Sequence, residues 1–173
     1  MIRSFKGKTP QIHPTAFISE AAYIVGDVTV GENASIWPGA VIRGDFGNIS
    51  IGKNSAIEDN CTIHTWDCVI GENVLVGHGA MVHCKTIGDG SMIGVHAVLL
   101  HGVEIGENCF IAAGALVTPN TKIPPRSLVM GSPAKVKEHL SDDKLAHIKF
   151  GNQTYVQLAQ EFKQHGMGDP DLK

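Results

Sequence analysis

Between Ile12 and Val129 an Ile, Val or Leu returns twenty times at a basic spacing of six, usually with a small residue four places later. The series runs Ile12, Ile18, Ile24, Val30, Ile36, Ile42, Ile51, Ile57, Ile63, Ile70, Val76, Val82, Ile87, Ile93, Leu99, Ile105, Ile111, Val117, Ile123, Val129. Three steps depart from six: nine after Ile42, seven after Ile63 and five after Val82. A short repeat of this kind marks a parallel β-helix, in which each unit is one short strand and a turn. An α-helix cannot produce it, because six residues advance a helix by about 600° and scatter the apolar set around the axis. At three hexads per coil, the twenty units predict six to seven coils.

Composition agrees with a narrow interior: aromatics are few and glycine is abundant. The net charge of −3 supplies no basic surface for nucleic acid. No apolar run approaches the roughly 20 residues of a membrane span, and no signal-peptide core is evident at the N-terminus. Cys61, Cys68, Cys84 and Cys109 show no CxxC pairing. Cys61 and Cys109 fall at the small inward position of their repeats and are expected to be buried thiols. A reduced, cytoplasmic protein is the expectation.

The hexads stop near Pro133, which sets a β-helix domain at 1–134. A helical segment is expected over 135–165, packed along the outside of the coil, with a loose tail at 166–173. Ser141 is placed to cap this helix, Asp142 and Asp143 suit its N-terminal dipole, and Leu145, Ile148, Tyr155, Leu158 and Phe162 share one stripe. Gly151 weakens the middle by about 1 kcal/mol relative to Ala, so a kink is expected there.

Stacking turns the hexad into a coordinate system. Positions three units apart lie above one another at the strand spacing of about 4.8 Å. Arg43, His64 and His83 each follow an inward residue of one column, so they stack on one corner. Pro38, Asp59 and His78 form a second column on another corner, with Asp59 below His78. His64 and His83 can therefore converge on one ion, whereas His78 can join them only from a neighbouring molecule. Threefold symmetry closes such a contact into a ring and brings Arg43 of one chain towards Asp59 of the next.

The segments IRGD (Ile42 to Asp45), IEDNCTIH (Ile57 to His64), VGHGAMVH (Val76 to His83), AAGALVTP and VMGSPAKV resemble the gamma-class carbonic anhydrases. The resemblance covers nearly the whole chain. It implies a left-handed β-helix, a homotrimer, and a metal held by His64 and His83 of one subunit and His78 of the next. The implied ion is Zn2+, with Fe2+ or Co2+ also suited to three imidazoles. The implied activity is reversible hydration of carbon dioxide to bicarbonate, since a metal with open positions lowers its water's pKa to about 7. Arg43 matches the Arg that pairs with the Asp matching Asp59. Asp45 and Tyr155 match active-site positions.

This chain departs from the family pattern in three places. Glu58 stands where the family has Gln, beside Asp59, and can hold the bound water or act as a base. Phe46 replaces a proton-shuttling Glu, so slow turnover is expected. The acidic loop after His64 shrinks to Thr65, Trp66, Asp67 and Cys68; Trp66 is either a lid over the interface or a substrate contact. His96 and His101 lie off the ligand columns and read as surface residues, as do His13, His139, His147 and His165. Two alternatives stand beside the anhydrase. One is a hexapeptide-repeat acyltransferase, and the other is a metal-binding trimer without catalysis.

Overall fold

The computed structural model describes residues 1–169, and they wind into a parallel β-solenoid of seven coils with one helix along its side. Each coil contributes a short strand to each of three faces. Two long strands, Tyr23–Val30 and Val41–Ile51, turn the corner between the third face and the first. The repeat dictates this shape because inward Ile, Val and Leu from three directions fill the whole interior. Ile24, Ile42, Ile63, Val82, Leu99 and Val117 form one buried column, joined by small residues such as Ala40, Ala80, Ala97 and Ala115. Each such Ile or Val contributes about 1.5–3 kcal/mol by leaving water.

The expected stacking register is present. Ile42 pairs with Ile63 and Arg43 with His64, while Val82 pairs with Ile63. Ile36, Ile57 and Val76 stack on the second face. Ile2 adds a rung below Ile24 that the repeat did not announce, and this completes the seventh coil. Tight corners need the left-handed backbone region, which Asn33, Asn54, Asn60, Asn73, Asn108 and Asn120 supply.

The three faces differ in what their outward residues meet. The first face turns out Gln11, Thr29, Ser50, Val69, Thr86, Glu104 and Lys122 and is largely polar. The second turns out Phe17, Ser35, Ala56, Leu75, Met92, Phe110 and Leu128, and the C-terminal helix lies on it. The third turns out Tyr23, Val41, Thr62, Met81, Val98 and Leu116, with Tyr23 and Met81 exposed.

The helix spans Asp142–Gln164 without interruption, so Gly151 does not break it. A Cβ at Gly151 would meet only Leu75 Cδ2 at an ordinary 3.9 Å. Ser141 occupies the N-cap with extended backbone, but its hydroxyl makes no capping hydrogen bond. Asp142 is held instead by Arg126 at 2.6 Å, which lowers its carboxyl below the usual range. Residues 135–139, expected in the helical segment, belong instead to a strand, Ala134–His139, that pairs antiparallel with Ser127–Gly131. The alternation in this run was masked by its charges, since five of its six residues are polar or exposed on an edge.

Phe17, Trp37, Tyr155 and Phe162 interlock where the helix crosses the lower coils, with ring centroids 5.1 to 5.7 Å apart. Lys163 Nζ donates to the carbonyls of Pro14 and Ala16, and Asn152 Nδ2 to that of Asn54. The tail is not loose where it is described: Asp169 is buried, its N–H donates to Ile18 O at 2.8 Å, and its carboxylate pairs with the N-terminal amine. The rest of the tail expected at 166–173, residues 170–173, lies outside the described residues. All four cysteines are buried free thiols, and burial pushes Cys61 up to about 12.

Candidate metal centre

Two corners of the solenoid carry the candidate chemistry, one on each side of the third face. At the corner leaving that face, Arg43, His64 and His83 stack as the repeat requires, and the two imidazole centroids are 6.1 Å apart. Arg43 Nη2 donates to Asp45 Oδ2 at 2.9 Å and lies 3.4 Å from His64 Nε2. A guanidinium only donates, so this contact requires a lone pair on His64 Nε2. Asp45 Oδ1 sits 3.0 Å from the same nitrogen without hydrogen-bond alignment and has no donor among the described residues. Burial works to raise the Asp45 pKa, but the Arg43 hydrogen bond and charge outweigh it and hold the carboxyl below its ordinary value.

At the corner entering the third face, His78 lies between two carboxylates. Its Nδ1 is 2.9 Å from Asp59 Oδ2, and its Nε2 is 3.0 Å from Glu58 Oε2. Glu58 is buried and also accepts the His78 backbone N–H at 2.9 Å. A proton on Nδ1, donated to Asp59, leaves the Nε2 lone pair turned towards an acceptor oxygen. A hydrogen-bond donor, a proton or a cation relieves that opposition. Tyr155 reaches this corner from the helix, its hydroxyl 3.5 Å from His78 Nε2. Burial and a hydrogen bond to Glu58 push the phenol far above its ordinary pKa, so it stays protonated and can donate.

The structure therefore gathers Glu58, Asp59, His78 and Tyr155 at one corner and Arg43, Asp45, His64 and His83 at the other. Within the single chain Arg43 pairs with Asp45 and Asp59 with His78. Among the described residues no group of three His, Cys, Asp or Glu side chains is arranged to hold a metal. The donor set still fits a borderline cation such as zinc. His64 and His78 each lie beside a carboxylate, and Asp59 orients His78 as outer partners orient metal-bound histidines.

Two features escaped the repeat. His101 lies near the ligand column, its ring 5.9 Å from His83, because the corner swings a residue one place later into reach. Phe46 packs on His64 with centroids 4.9 Å apart, and Trp66 stacks on Phe46 at 5.3 Å and 28°. The nine- and seven-residue steps had marked these as excursions from the lattice, without saying that they would meet.

The family model described as "Bacterial transferase hexapeptide (six repeats)" matches residues 9–44 and 85–119. The mitochondrial gamma carbonic anhydrase 2 of Arabidopsis thaliana is 38% identical over 162 residues, which cover 88% of this chain and 58% of the relative. The chain thus spans under two thirds of that plant protein. The carnitine operon protein CaiE of Escherichia coli is 36% identical over 158 residues, covering 90% of this chain and 81% of the relative. Among solved structures, a Bacillus cereus protein provisionally titled an acetyltransferase superposes with a TM-score of 0.92 at 39% identity, covering 95% of this chain and 97% of that one. A hexapeptide transferase family protein from Anaplasma phagocytophilum gives 0.91 at 33% identity, covering 94% and 98%.

Proposed function

Because the chain belongs to the hexapeptide-repeat family, in the group that holds gamma carbonic anhydrases and CaiE proteins, we propose that it is a zinc-dependent carbonic anhydrase of the gamma class. It hydrates carbon dioxide reversibly at subunit interfaces. The observation that carries this reading is His78, held by Asp59 at Nδ1 and facing Glu58 at Nε2, where a cation would meet an imidazole and a carboxylate together.

The bare third face supports a homotrimer of left-handed coils. Its outward stripe is apolar, and its two bordering corners carry the complementary halves of the site. A contact between the His78 corner of one copy and the His64–His83 corner of the next brings three imidazoles together. It also lets Arg43 exchange Asp45 for Asp59 across the interface. Zn2+ there, with Fe2+ or Co2+ as substitutes, would make a hydroxide nucleophile available near neutral pH. Glu58 accepts a proton or a hydrogen bond at the His78 corner, and Tyr155 donates one. Asp45 keeps its charge and holds the Arg43 guanidinium in the single chain, before the interface forms. Phe46 relays no protons, so turnover is slow. Four free thiols suit a reducing compartment such as the cytoplasm.

Stopped-flow hydration of carbon dioxide, with metal quantified in the same sample, tests this reading. Metal and hydration are both expected to disappear in His83→Ala while the coil stays folded. Stoichiometric metal without hydration would leave a non-catalytic metal trimer. Saturable coenzyme A binding, with acyl transfer that survives chelation, would favour the acyltransferase instead.

A further inference from the structure

Phe46 and Trp66 are 58% and 59% exposed, yet they stack on each other and Phe46 packs on His64. Large aromatic surface left in water beside a candidate active site marks a place where something binds. The pair is also held in position. A Cβ at Gly47 would collide with the Trp66 carbonyl, so only glycine lets the two excursions approach this closely. The Asn48 N–H donates to Asp67 Oδ1 at 2.9 Å and fastens the second excursion to the first. Arg43, half-exposed and paired with Asp45, lies one rung below His64 and brings a guanidinium to the same corner.

The placement argues against burial of this pair in the proposed trimer. Phe46 and Trp66 lie beyond His64 on the side of the polar first face, whereas the apolar stripe lies on the third. Carbon dioxide, a molecule of three atoms, has no use for two stacked rings.

Resting on the proposed hydration site, we infer that Phe46 and Trp66 form a recognition platform for a flat aromatic ring that carries a carboxylate, so that the ligand class is the aromatic carboxylic acids. The ring stacks on the pair and the carboxylate turns towards His64 and Arg43.

Benzoate, the simplest such acid, is the probe, with acetate as the ringless control, titrated by calorimetry into the intact protein. Benzoate is expected to bind saturably and acetate at least fivefold more weakly, about what ring pairing supplies. Phe46→Leu and Trp66→Leu keep apolar bulk but lose the ring, and each should bring benzoate down to the level of acetate. Trp66→Phe should restore most of the difference. Equal binding of the two acids, or unchanged benzoate binding in the Leu variants, would overturn the platform. Loss of assembly in the Leu variants, seen by light scattering, would show an interface residue instead and overturn it too. Hydration of carbon dioxide, measured on the same samples, reports separately on the anhydrase reading: benzoate binding without hydration keeps the platform and removes the anhydrase.

Discussion

The second and third faces begin alike and end differently. Both turn out an apolar stripe, Phe17, Leu75, Met92, Phe110 and Leu128 on one and Val41, Met81, Val98 and Leu116 on the other. The chain covers the second itself, with 23 residues of helix. Among the described residues nothing comparable covers the third, although that face carries candidate functional residues on both borders. The contrast teaches that a covering element within the chain would have closed off the site, whereas a second copy can complete it.

Four substitutions sharpen or break this comparison, beginning with the largest effect. Met81→Glu places charge in the middle of the third stripe, so light scattering should show the proposed trimer falling to single chains while the β-sheet circular dichroism stays unchanged. A variant that remains trimeric would remove the third face from the interface. Phe17→Ala acts on the covered face and leaves a cavity under the helix, costing about 3–5 kcal/mol in denaturant unfolding without changing assembly. Arg43→Ala lies at the border of the bare face, and it should weaken association measured by dilution while leaving the melting of the coil interior alone. Gly151→Ala is the smallest: its new methyl has room beside Leu75, and it should stabilise the helix by up to about 1 kcal/mol. A loss of stability there would mean that the helix sits closer to the second face than 3.9 Å allows.

What could be read from the chain follows from where the lattice holds. Counting in threes was enough to stack His83 on His64, and Asp59 beneath His78, because the strand register leaves no freedom once the inward residues are assigned. The same counting was silent wherever residues leave the lattice. Phe46 and Trp66 sit in two separate excursions, and their meeting depends on a backbone approach at Gly47 that no periodicity encodes. His101 escaped for a smaller reason, since it stands one residue past the column position and still brings its ring within 5.9 Å of His83. The edge strand at Ala134–His139 carries charges that obscure its alternation, and Ser141 has the N-cap backbone without using its hydroxyl. A side chain's identity suggests what it can do at a terminus, but Arg126, far away in sequence, had already taken the first turn through Asp142.

That reversed strand has one more consequence. A parallel coil is its own template: its last rung offers the next chain the same edge that its previous rung offered to it, and nothing in the repeat says where copying must stop. On the second face the Ala134–His139 strand answers by running backwards, so the edge presented there no longer matches the one below it. The molecule thereby acquires a length. A fold capable of indefinite growth becomes a finite object on that face through one change of direction.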